Sequence, residues 1–66
     1  MLAAVSPLAF WRRRRGFTQA ALATRVGIRQ SLLAQAETGR RWLKVETYGK
    51  LARALNARIE DLLANG

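Results

Sequence analysis

Apolar residues recur along the chain at helical spacing. Leu22, Ala23 and Val26 form one such set, as do Leu32, Leu33 and Ala36, then Leu51, Ala52 and Leu55, and finally Ile59, Leu62 and Leu63. Positions three and four apart share one face of a helix, so each set predicts an apolar stripe facing a core. No stretch alternates apolar and polar residues, and Ala and Leu outnumber β-branched types, so no strand is predicted. Breaker residues divide the chain into five helical pieces, at about 7–15, 18–25, 29–37, 45–55 and 59–64. Ser6-Pro7 offers an N-cap followed by proline at the first helical position, and Gly16 ends that piece. Thr18 can cap the second piece, Gly27 and Gly39 close the second and third, and Asn56, which tolerates the left-handed conformation, closes the fourth. Glu60 and Asp61 fall in the first turn of the last piece, where the helix dipole favours anions. The fold class is all-α: a short arm at 1–6, then a single domain at 7–64.

A length of 66 residues leaves room for one domain of modest stability. There is no cysteine and no histidine. That removes disulfides, thiolate chemistry, the commonest general base and the commonest zinc ligand. The reading is therefore of a protein that is not an enzyme, with no cofactor and no metal. Glu60 and Asp61 read as helix-start acids rather than a metal pair.

Charge adds a direction. The formal net charge is +8, and ten of the twelve basic residues are Arg, whose planar fork suits phosphate and guanine edges. Half the residues are apolar, so the chain folds while carrying a strong positive field. Nucleic acid is the leading partner class, with an acidic protein or an anionic membrane as alternatives. The apolar stretch 1–11 fails as a signal peptide because Arg12 to Arg15 follow it instead of preceding it. It is also too short to span a bilayer, which leaves a cytoplasmic location as the expectation. A membrane-active reading of MLAAVSPLAFWRRRR predicts binding to anionic vesicles and little folded structure without them.

The segment QAALATRVGIRQSLLAQAET, at 19–38, is the informative one. Ala23 is small where two helices cross, Gly27 permits the positive φ of a tight turn, and Ile28 joins Leu22, Val26 and Leu33 in the corner. This is a helix-turn-helix arrangement. With GFTQAALA at 16–23, VGI at 26–28, ETGR at 37–40 and LARALNARIEDLL at 51–63, the chain from Leu8 to Leu63 resembles the Cro/phage-repressor (XRE) family. The resemblance implies a compact five-helix, lambda-repressor-like bundle that binds double-stranded DNA. It also implies a symmetric homodimer on operator half-sites.

The sequence departs from that family in places. Arg29 and Arg58 stand where it caps its third and fifth helices with Ser or Thr, and Leu43-Lys44 replaces a Pro-Ser pair. Ala36 replaces a large aliphatic, with Trp11, bulkier than the usual Leu, as the candidate to fill the space. Gly49 lies inside the fourth helix, at a cost of about 1 kcal/mol relative to Ala.

Candidate contacts follow from the layout. Gln30, Ser31 and Gln35 lie opposite Leu33 and Ala36 on the third helix, whose N-terminal half enters the major groove in such domains. Gln can pair bidentately with adenine and Ser can serve either base, whereas the plain alternative is polar surface. Leu32 touches a thymine methyl or packs on a neighbouring loop. Thr18 is an N-cap, a phosphate ligand, or both, and Gln19 resembles the family's backbone-contacting Gln. Arg29, Arg40 and Arg41 flank the third helix as phosphate contacts or as solvated charges.

Arg12 to Arg15 spread round a helix and make no single face. The resemblance implies that Arg12 forms a structural ion pair with Glu37, while Arg13 to Arg15 raise the field. Leu8, Trp11 and Phe17 are core candidates, and Phe10 is unassigned. Trp42 is a dimer contact, with Leu43, Ile59 and Leu63, or a lid on the core. The expectation is thus a DNA-binding transcriptional regulator, as a repressor dimer that is weak without DNA. The alternative is an antitoxin-like module whose main partner is a small protein.

Overall fold

The computed structural model describes residues 6–63. Residues 1–5 of the arm expected at 1–6, and Ala64 at the expected end of the last helix, lie outside the described residues. Five helices follow one another: α1 (Pro7–Arg14), α2 (Gln19–Val26), α3 (Gln30–Glu37), α4 (Val45–Leu55) and α5 (Ile59–Leu63). Among the described residues there is no strand.

Local chemistry sets the helix starts. Ser6 Oγ accepts from the Ala9 amide at 3.2 Å and Thr18 Oγ1 from the Ala21 amide at 3.0 Å, each satisfying one of the orphan N–H groups of a first turn. Arg29 and Lys44 occupy the N-cap positions of α3 and α4 without any side-chain cap bond. At α5 the missing Ser or Thr is partly replaced. The Arg58 amide donates to Asp61 Oδ2 at 3.1 Å, the returning half of a capping box.

The ends share one device. The Ile28 amide donates to Ala23 O at 2.9 Å, reaching back over Gly27 at φ 79°. The Ala57 amide does the same to Ala52 O at 2.9 Å over Asn56 at φ 53°. These are Schellman closures, which need a residue able to enter the left-handed region. The Phe17 amide closes α1 likewise on Arg12 O at 3.0 Å over Gly16 at φ 79°. α2 and α3 each start one residue later than expected, because Thr18 and Arg29 hold the extended N-cap positions, and closures of this kind explain two shifts at the C-terminal ends. α1 stops at Arg14, one residue early, because Arg15 (φ −90°, ψ 2°) already belongs to the closing turn, and α2 runs one residue further, to Val26.

Each helix packs against two others: α2 against α3 and α4, α1 against α3 and α5, and α4 against α5, closing a ring around the core. Leu22, Leu33, Leu51 and Leu55 are fully buried at its centre, each contributing about 1.5–3 kcal/mol of transfer free energy. Leu8, Ala23, Val26, Tyr48, Ala52 and Leu62 complete the buried set, with Trp11, Phe17, Ile28, Ala36 and Leu43 packed against it. Tyr48 was not part of the apolar pattern read from sequence, although it sits three and four positions before Leu51 and Ala52 on the same face. Leu63, counted on the apolar stripe of the last helix, is 37% exposed, because five-residue α5 turns only Leu62 fully inward.

Candidate nucleic-acid interface

α3 divides sharply into two sides. Leu33 and Glu37 are buried, whereas Gln30, Ser31 and Gln35 are exposed. Ser31 and Gln35 are four apart and so lie one above the other. Leu32 is half-buried, between the two sides. Arg29 precedes this face, Arg40 and Arg41 follow it, and all three are exposed. Among the described residues no carboxylate pairs with them. A run of exposed amides and a hydroxyl bracketed by free guanidiniums presents hydrogen-bonding groups in the middle and positive charge at both ends.

Beneath it lies a buried ion pair. Arg12 Nε donates to Glu37 Oε2 at 2.6 Å and Arg12 Nη2 to Glu37 Oε1 at 3.2 Å, a two-pronged contact with each residue 8% exposed. Arg12 Nη1 also donates to Phe17 O at 2.9 Å, so a single guanidinium ties α1, the α1–α2 turn and α3 together. Glu37 Oε1 further accepts from Gln19 Nε2 at 3.0 Å. Gln19 Oε1 in turn faces Gln30 Nε2 at 3.5 Å. The start of α2 and the start of α3 therefore meet through side chains. Thr18 stays exposed beside them while its hydroxyl oxygen caps α2.

The arginines that follow Arg12 have separate fates. Arg13 and Arg14 are exposed. Arg15 donates from Nε to Leu55 O at 2.7 Å and from Nη2 to Asn56 O at 3.3 Å, with its guanidinium 5.2 Å from the centre of the Trp11 ring. It thereby satisfies carbonyls left open at the C-terminal end of α4, the favourable end for a cation. No sequence pattern pairs positions 40 residues apart, so this anchor was not legible beforehand. A second basic group, Arg25, Lys50 and Arg53, lines a depression of about 230 Å³ between α2 and α4 and adds charge away from α3.

The remaining candidates gather at another surface. Trp42 is 74% exposed and meets Tyr48 edge-on, with centroids 6.3 Å apart, so it does not form a lid buried in the core. Leu43 and Ile59 are half-buried against their own chain's core, leaving Trp42 and Leu63 as the open apolar groups. Both border a depression of about 270 Å³ lined also by Leu8, Ala36, Tyr48 and Leu62. Trp11 is not among its lining residues and lies edge-on to Phe10 at 5.8 Å, so the volume given up at Ala36 stays open. Phe10 itself is 49% exposed.

A two-helix unit held by a tight glycine turn, with its second helix displayed, defines a helix-turn-helix domain. The helix-turn-helix family model matches residues 8–62, and the chain belongs to that family, one of DNA-binding transcriptional regulators of the lambda-repressor-like fold. An uncharacterized HTH-type transcriptional regulator of Archaeoglobus fulgidus is 40% identical over 52 residues, 79% of this chain and 74% of the relative. Among solved structures, the restriction-modification controller protein C.AhdI of Aeromonas hydrophila superposes with a TM-score of 0.79 at 30% identity, covering 85% of each chain. The clp gene regulator ClgR of Corynebacterium glutamicum superposes with a TM-score of 0.80 at 28% identity, over 86% of this chain and 61% of its own. Among the described residues no helix is long and apolar enough to cross a membrane.

Proposed function

We propose that this regulator binds double-stranded DNA sequence-specifically in the cytoplasm and represses transcription by occupying a palindromic operator as a symmetric homodimer. The observation that supports this most is the exposed face of Gln30, Ser31 and Gln35 between Arg29, Arg40 and Arg41, which have no carboxylate partner among the described residues. The net charge of +8 draws the domain to the duplex. Thr18 and Gln19 at the start of α2, with Arg29, Arg40 and Arg41, then hold phosphates and set the register, while Gln30, Ser31 and Gln35 read base edges. One such helix covers too few base pairs for genomic specificity. Two copies, paired through Trp42 and Leu63 with Leu43 and Ile59 behind them, place half-sites about 34 Å apart. The pair is weak in solution and strengthened on DNA.

Selection from a random duplex pool, followed by salt titration of the winner against scrambled DNA, tests this reading. A palindromic winner with half-sites one turn apart, still preferred at physiological salt, is the expected result. No enriched motif, with affinity falling equally for both duplexes, would reduce the interaction to charge and direct attention to a protein partner.

Likeness to a restriction-modification controller over 85% of both chains favours a second reading, in which the same dimer acts as a small activator. A reporter driven by the promoter nearest the selected site separates the two by the sign of its response.

A further inference from the structure

We propose that the depression beside Ala36 is a ligand site for a small aromatic carboxylate, whose ring enters the hollow and whose charge meets Arg41 and the Tyr48 hydroxyl. The hollow has the size for it: about 270 Å³, where an apolar cavity of about 150 Å³ already holds a benzene ring. Its walls are apolar, with Leu8, Ala36 and Leu62 inside and the exposed indole of Trp42 at the rim. Arg41 and Ser6, whose hydroxyl oxygen caps α1, add polar groups, and no carboxylate lines the depression. An anion therefore finds a counter-charge there and no opposing one.

Tyr48 supplies an independent pointer. It is only 6% exposed, yet among the described residues its hydroxyl has no hydrogen-bond partner. No described side-chain oxygen is both sealed from water and unbonded, so this one keeps an opening, and the depression that Tyr48 lines supplies it. A phenol can donate to a carboxylate while a guanidinium beside it balances the charge. An aromatic body suits the Trp42 and Tyr48 rings, which already meet edge-on. A bare phosphate would leave the apolar walls wet, and a plain hydrocarbon would leave the hydroxyl unpaired; an aromatic carboxylate uses both. The consequence for DNA rests on the proposed DNA-binding reading, in which Arg41 holds a phosphate and Trp42 and Leu63 pair two copies. A ligand in the depression takes Arg41 and covers Trp42 and Leu63, so the loaded chain binds its operator more weakly.

The test titrates cinnamate into the whole chain by calorimetry, with the Trp42 indole resonance followed alongside. A ligand of this size in an open site is expected to bind with a Kd of about 1 mM or tighter. Tyr48→Phe keeps the buried ring and removes only the hydroxyl, and should weaken binding about tenfold, as should Arg41→Gln. Ala36→Leu fills the hollow and should abolish binding while the melting temperature holds or rises. Arg53→Gln removes the same charge from a residue that lines other depressions, and should bind cinnamate like the parent. Neutral cinnamyl alcohol should bind the parent about tenfold more weakly than cinnamate. On a selected operator, cinnamate should lower the parent's affinity about fivefold or more and leave that of Ala36→Leu unchanged.

No saturable binding overturns the site, as does undiminished binding by Ala36→Leu or by Tyr48→Phe. Equal losses in Arg41→Gln and Arg53→Gln overturn it too, since net charge alone would then be acting. Equal affinity for the alcohol overturns the carboxylate. Self-association lost in Ala36→Leu, with no cinnamate bound by the parent, gives the depression to a second copy and overturns the ligand. Cinnamate bound with operator affinity unchanged overturns the competition alone. A parent chain that selects no operator overturns the DNA-binding reading, while the titration still decides the site.

Discussion

The α2–α3 junction and the surface around Trp42 and Leu63 stand in opposite states of completion. At the junction every buried polar side chain finds a partner within the chain. Arg12 reaches Glu37 and Phe17 O, Gln19 reaches Glu37, and among the described residues no buried side-chain nitrogen or oxygen is left without a bond. Around Trp42 the reverse holds: an indole 74% exposed and a leucine 37% exposed flank an open depression beside Ala36. A small domain has few residues to spend on covering itself. Here they finish the framework under the polar face of α3 and leave an apolar surface uncovered elsewhere, the kind of patch that marks an interaction site.

The sharpest way to break this contrast is to remove one half of the junction. Arg12→Met leaves Glu37 buried without its counter-charge and is expected to lower the unfolding free energy by about 3–5 kcal/mol in a denaturant titration. A loss under about 1 kcal/mol, the range of a solvated pair, would show that water reaches the carboxylate and that the junction is not closed. Next in size, Gln30→Ala should cost about 1–3 kcal/mol of binding on a selected site and little on random DNA. Equal losses on both duplexes would move Gln30 from base readout to backbone contact.

Smaller changes probe the other half of the molecule. Gly49→Ala should stabilise the fold by about 0.5–1 kcal/mol, because the new Cβ meets only Ile59 Cδ1 at 4.0 Å inside a regular helix. A lower melting temperature instead would mean that α4 and α5 pack more tightly than the structure indicates. Trp42→Ala should change stability by no more than about 0.5 kcal/mol, as expected for an exposed side chain, while weakening self-association on an operator in sedimentation runs. A large stability loss with association intact would place Trp42 in the core.

Much of this organisation is legible in the sequence alone. Ser6, Thr18, Gly27 and Asn56 act through bonds to residues within about one turn, so their roles follow from residue type and position alone. The same locality made the helix ends uncertain by one residue at Arg15 and Val26, since a Schellman closure and a helical turn share their first bonds. Tyr48 escaped because its hydroxyl argues for surface while its ring position argues for core, and only packing against Leu51, Ala52 and Trp42 resolves that.

The four consecutive arginines draw the remaining line. Their sequence determined the charge, the helix and the fact that no two neighbours share a face, because backbone geometry spreads them. It also determined the class of fold, through apolar spacing and turn residues that act locally. Only the tertiary structure decided that Arg12 is buried on Glu37, that Arg15 clasps the end of α4, and that Arg13 and Arg14 are left to solvent. It likewise decided that Gln19 and Gln30 meet, and that the space beside Ala36 stays open. These are contacts between residues up to 41 positions apart, set by which helices the ring of packing brings together, and no local preference of the chain encodes them.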